Sequence, residues 1–139
     1  MTPLRPQWWR HYAGLYGYLW RGRELATGVD CWSLAVIVER VEFDEHLNEF
    51  AGVFSADIRI GLEEARDRVE VELPAWREVP WEEGAIALFR VAGHPVHVGV
   101  ATSKKGVVLH AHQKTGVDLL DIPKSIKWKD RFVGCYLPR

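Results

Sequence analysis

A chain of 139 residues with 47% apolar side chains is enough for one compact domain over 1–139, with a core and little room for a second. Its net charge of −1, without blocks of like charge, argues against nucleic-acid binding and against an anionic membrane surface. Two cysteines far apart form neither a disulfide framework nor paired zinc-ligand spacing, and no run approaches the ~20 apolar residues that span a bilayer.

Residues 1–10 lack the apolar stretch of a secretory signal, so the expectation is a chain made in the cytoplasm that reaches any outside target by another carrier. Charge is unevenly placed: residues 39–83 hold 14 acidic and 5 basic side chains, and the remainder holds 5 acidic and 13 basic. Either the two parts are solvated faces, or the basic part meets an anionic substrate.

Along the chain, Trp8, Tyr12, Leu15 and Leu19 fall at helical spacing and predict a helix over 8–19, against which Gly14 and Gly17 weigh. A polar turn over 21–29 leads to Asp30, an N-cap residue, and to a helix from Cys31 to about Phe43 with Leu34, Val38 and Val41 on its core side. Ile58, Leu62, Ala65 and Val69 mark a further helix, broken by Pro74 and Pro80. From Gly84 the pattern changes to five short β-rich runs, 85–91, 96–102, 106–112, 117–122 and 132–137, separated by turn signals at 92–95, 103–106 and 114–116. Helices followed by an antiparallel meander of about five strands make the expected fold α+β.

Chemistry concentrates at two places. Cys31 starts a helix, where unpaired N–H groups and the helix dipole favour a thiolate, although a lone cysteine is as often a small buried hydrophobe. In Val96-His97-Val98-Gly99-Val100 the valines share one strand face and leave His97 on the other, and His110 and His112 share a face of the next strand. A two-residue turn at Lys104-Lys105 sets His97 opposite His112 and Gly99 opposite His110, so three imidazoles gather on one side of the sheet. A cysteine nucleophile needs such a base and a polar group to orient it. The same His97, His110 and His112 with Cys31 also form a conceivable zinc set. Cys135 reads as core, while Trp8, Trp9, Trp20 and Trp128 divide between core packing and an exposed docking surface.

These residues resemble the NlpC-like cell-wall cysteine endopeptidases, papain-related hydrolases of peptidoglycan stem peptides. The resemblance runs from about Tyr16 to the carboxyl terminus: Gly28-Val-Asp-Cys31-Trp-Ser-Leu is similar to the nucleophile motif, Val96-His97-Val-Gly-Val100 to the base-bearing strand, Val108-Leu-His110-Ala111 to the third-residue strand, and Glu83-Gly-Ala-Ile-Ala-Leu-Phe89 to the strand before the base. Ser33 and Ala85 depart from the family's usual glycine and aspartate. The resemblance implies a papain-like fold with N-terminal helices on a C-terminal sheet, Cys31 as nucleophile, His97 as general base and His110 as orienting residue. It places Tyr18, Asp30, Trp32 and His112 at the substrate or oxyanion site, and the implied reaction needs no cofactor or metal. The compact form and the closing Trp128-Lys-Asp-Arg-Phe-Val-Gly-Cys-Tyr-Leu137 segment are most similar to tail-associated peptidases of bacteriophages, which implies a virion-tail location, tail-tip or hub partners and a stem-peptide substrate. A catalytically silent tail component and a zinc-binding hydrolase are the competing readings.

Overall fold

The computed structural model describes residues 1–48 and 73–139, which form an α+β fold with one α-helix and a six-stranded antiparallel sheet. The helix α1 (Cys31–Phe43) follows a two-stranded ladder of β1 (Arg23–Glu24) and β2 (Gly28–Val29). The large sheet comprises β3 (Trp76–Val79), β4 (Ile86–Val91), β5 (His94–Ala101), β6 (Val107–His112), β7 (Gly116–Asp121) and β8 (Phe132–Pro138), in the order β3-β8-β4-β5-β6-β7.

Asp30 starts α1 in extended backbone, its carboxylate accepting from the Ser33 amide at 2.7 Å, and Asp44 ends the helix in the left-handed region that aspartate tolerates. The inward stripe is Cys31, Leu34, Ala35, Val38, Glu39 and Glu42, so Val41 is 45% exposed rather than core. Glu42 tolerates burial because it is fully engaged. It accepts from Arg5 Nε and Nη2, both at 2.7 Å, and from the Tyr12 hydroxyl at 2.6 Å. Burial alone raises its pKa, but the bonds from Arg5 and Tyr12 outweigh that and hold it below the ordinary carboxylate range.

Three expectations are corrected. The segment 8–19 is a 3-10 turn over Trp8–His11 followed by irregular chain, because its backbone groups pair with strands: Gly14 N–H donates to the Val117 carbonyl, Tyr16 accepts from Val117, and Gly17 accepts from Val29. Gly14, at φ +75°, turns the chain out of a helical path. The sheet gains a sixth strand, β3, whose Trp-Arg-Glu-Val run alternates too weakly to stand out. Finally, β4 to β7 form the meander, but β8 returns across the sheet to pair with β4 on its far side. The predicted helix at Ile58, Leu62, Ala65 and Val69 lies outside the described residues.

The hairpin between β5 and β6 pairs Val100 with Leu109 and Ala101 with Val108, the expected register, closed by the four residues 103–106 instead of two. Gly99 permits the close approach. A Cβ there would lie 2.9 Å from the Leu109 carbonyl oxygen and 3.3 Å from the His110 Cβ. Gly99→Ala is therefore expected to cost about 1–3 kcal/mol of stability by forcing the two strands apart, read as a lowered urea midpoint. An unchanged midpoint would show that the strands have room to spare.

Candidate active site

Cys31 is the first residue of α1, with the Asp30 cap behind it and 1% of its surface exposed. Backbone amides of Val98, Trp32 and Cys31 itself favour its thiolate. The Val98 amide ties the thiol to β5, one residue along from His97. Neither cysteine is in a disulfide.

His97 is fully buried, and its Nε2 lies 2.8 Å from His110 Nδ1. That pair is diagonal across the β5–β6 hairpin, within reach of long side chains. The other ring nitrogen, His97 Nδ1, is buried and makes no hydrogen bond. His112 completes the cluster, its ring centroid 6.3 Å from that of His97 and 6.1 Å from that of His110.

The returning connection between β7 and β8 supplies what sequence reasoning missed. Trp128 stacks on the His97 ring at 4.7 Å and 26°, and meets His110 and His112 edge-on. Its loop is held by the Ser125 hydroxyl accepting from the Trp128 amide at 3.1 Å and by the Arg131 carbonyl accepting from the Arg90 amide at 2.8 Å. Trp128 is 5% exposed and so is no docking surface. Beside it, Lys127 Nζ reaches His112 Nε2 at 3.0 Å. Thirty residues separate Trp128 from His97, and only the crossover of β8 brings them together, so no local pattern announces the pair.

Other candidate residues sit as follows. Asp30 is buried with its carboxylate engaged in the helix cap. The Trp32 indole donates to the Asn48 carbonyl at 2.7 Å and meets Trp76 edge-on, so its side chain anchors neighbouring chain. Tyr18, half-buried, runs alongside Val29 in a parallel bridge on the approach to α1. Cys135 is buried in β8, where burial pushes its thiol up to about 11. Among the described residues no three His, Cys, Asp or Glu side chains are arranged to hold a metal ion.

Electrostatically the cluster is set for neutrality. Burial pushes the Cys31 thiol well up, and the Asp30 carboxylate adds to the shift, against the expectation that a helix start lowers it. The amide contributions are present but smaller than the loss of hydration. Burial likewise lowers His97 far below 6.5, His110 to about 3 and His112 to about 4, with neighbouring imidazoles and Lys127 acting in the same direction.

No family model and no curated protein matches the chain. The fold is similar to that of a protein of the NLP/P60 family. More fully, it is similar to a solved structure described as similar to lipoprotein, NLP/P60 family, from Staphylococcus aureus subsp. aureus Mu50, with a TM-score of 0.59 and 20% identity over 92% of this chain. The chain spans 38% of that protein's length. At this identity the likeness is one of fold.

The pKa shifts give a stability profile. Histidines kept neutral in the fold take up protons on unfolding below pH 6.5, so stability falls as pH drops from 6.5 towards about 4. Glu39, buried without a hydrogen-bond partner and raised by that burial to about 9, acts oppositely: it stays protonated in the fold but ionises above 4.5 when unfolded, so its contribution is lost as pH rises towards 9. Three histidines outweigh one carboxyl on the acid side. The urea midpoint is expected to peak near pH 6.5, and Glu39→Gln to flatten the limb between pH 6.5 and 9. A wild-type midpoint that stays level below pH 6.5 would contradict the neutral cluster.

Proposed function

We propose that the protein is an NlpC-like cysteine peptidase that hydrolyses peptide bonds in peptidoglycan stem peptides. One observation carries this reading: His97 is bonded through Nε2 to His110 at 2.8 Å and keeps a buried Nδ1 without a hydrogen bond, on the same strand whose Val98 amide favours the Cys31 thiolate.

In the proposed reaction Cys31 transfers its proton to His97 Nδ1 as the thiolate attacks the substrate carbonyl carbon. His97 Nε2–H donates to His110 Nδ1 throughout, which fixes the tautomer and leaves Nδ1 as the base. The carbonyl oxygen becomes an oxyanion that the helix-start amides of Cys31 and Trp32 stabilise. Collapse expels the amine, which takes the proton from Nδ1, and a thioester remains on Cys31. Water then gives a proton to Nδ1 and its hydroxide to the acyl carbon, and the thiol regains that proton as the acid departs. Trp128 covers the His97 ring and keeps bulk water from its bond to His110. Since both reacting side chains are neutral at rest, substrate binding must supply part of the energy of the charged state.

The same proposal includes a phage tail or related particle as the carrier, with tail-tip or hub proteins as partners, on the resemblance of the 128–137 segment to tail-associated peptidases. A silent structural role is the second reading, favoured by one observation: Cys31 is 1% and His97 0% exposed. The zinc reading fits poorly. Two nitrogens on one tetrahedral zinc lie about 3.3 Å apart, whereas those of His97 and His110 are at hydrogen-bond spacing.

Digestion of purified peptidoglycan, with products identified by mass spectrometry, tests the proposal. Cleaved stem peptides are expected from the wild type and from Cys135→Ser, and none from folded Cys31→Ala or Cys31→Ser. His97→Ala is expected to lower turnover by about 10²–10⁴-fold, the usual worth of a general base, with His110→Ala less damaging and His112→Ala milder still. An undigested substrate together with a Cys31 that resists alkylation until the protein unfolds would establish the silent role instead.

A further inference from the structure

The rim of the histidine cluster holds a second polar arrangement that the peptidase chemistry does not use. The Lys114 amide donates to His112 Nδ1 at 3.3 Å, which makes that nitrogen the acceptor and puts the ring proton of neutral His112 on Nε2. Nε2 faces Lys127 Nζ at 3.0 Å. An imidazole N–H and an ammonium are both donors, so they have no hydrogen bond to share. The group that satisfies both at once is an anionic oxygen to which both donate.

The surroundings favour the same ligand. Lys127 and Arg131 both lie over the Trp128 ring, at 5.1 and 5.7 Å from its centroid, which holds two cations on one side of the cluster. Lys114, whose backbone amide meets His112, adds a third positive charge that acts on both His112 and Lys127. Among the described residues no carboxylate is within ion-pair distance of Lys114, Lys127 or Arg131. Asp118, across the ladder from His110, turns its carboxylate to the Leu119 amide at 2.8 Å. The file from solvent inward is thus exposed Lys127, then buried His112, His110 and His97.

Resting on the peptidase reading above, we infer that Lys127 and the Nε2–H of His112, flanked by Lys114 and Arg131, form a carboxylate-binding subsite that receives a free carboxylate of the peptide next to the bond to be cut. Two donors 3.0 Å apart suit the two oxygens, or one shared oxygen, of a carboxyl group, which is the anion that the proposed stem-peptide substrate carries. Docking there has a catalytic consequence. Lys127 disfavours protonation of His97, His110 and His112, so an anion seated on it offsets that field and eases transfer of the Cys31 proton to His97. The subsite makes Lys127 a specificity residue that couples recognition to activation.

Synthetic stem tetrapeptides with all carboxylates free, and a series with each carboxylate in turn converted to carboxamide, are the probes. Their binding to full-length Cys31→Ala protein is measured by calorimetry. One particular carboxamide is expected to weaken binding about tenfold or more, the worth of a charge-assisted hydrogen bond. With Lys127→Met added, that acid and amide are expected to bind within about twofold of each other; Lys127→Arg restores the preference, and Lys124→Met leaves it intact. The inference is overturned if no peptide binds, if every carboxamide binds as well as the acid, or if the preference survives Lys127→Met in a folded protein. Hydrolysis of the same peptides by the wild type is a separate readout: Lys127-dependent binding without hydrolysis keeps the subsite and rejects the peptidase reading.

Discussion

The hydrogen bond between His97 Nε2 and His110 Nδ1 is the interaction on which the rest of the site depends. It requires β5 and β6 to be close, which Gly99 allows by presenting no side chain to the Leu109 carbonyl. It requires both rings to be dry and fixed, which Trp128 provides by stacking on one and meeting the other edge-on. Trp128 in turn arrives only because β8 leaves the edge of the meander and pairs with β4. The topology, the one close approach and the ring stack therefore serve a single geometric outcome, an imidazole held in one orientation with a nitrogen to spare.

The same enclosure sets the electrostatic state. Desolvation is the largest influence on Cys31, His97, His110 and His112, and each is shifted towards its neutral form. A helix start offers amides to a thiolate, but in this buried setting their contributions are smaller than the lost hydration, and Asp30, which caps the helix, adds negative charge beside the thiol. The residue that best defines the helix start thus opposes ionisation of the Cys31 thiol. The neutral resting pair makes sense of a cationic rim. In the proposed reaction, charge brought by the substrate shifts the balance between the neutral and ion-pair states.

Much of this was legible in the sequence where the signal is local. Asp30-Cys31 as a capped helix start, the strand alternation that turns His97 away from the valines, and the hairpin register between β5 and β6 all follow from neighbouring residues. Features set by distant contacts were not. Helical spacing over 8–19 was overridden because Gly14, Tyr16 and Gly17 find backbone partners on Val117 and Val29, far along the chain. Val41, expected on the core side of the helix, lies outside while its neighbour Glu42 is buried, because Arg5 and Tyr12 reach in to satisfy the carboxylate. Trp128 and Lys127 were invisible as site residues for the same reason, since the connection between β7 and β8 has no pattern that states where it crosses.

The proposed role of His97, a base held by His110, comes down to the position of one proton. If His97 carries its proton on Nε2 and donates it to His110, Nδ1 has a lone pair for the Cys31 proton; with the reverse tautomer it has none. Long-range proton–nitrogen NMR correlation of the histidine rings in the resting protein reads this directly. A protonated Nε2 and an unprotonated Nδ1 are expected at His97, with the Nδ1 resonance moving when Cys31 is alkylated. A His97 protonated on Nδ1, with a nitrogen spectrum indifferent to Cys31, would contradict it.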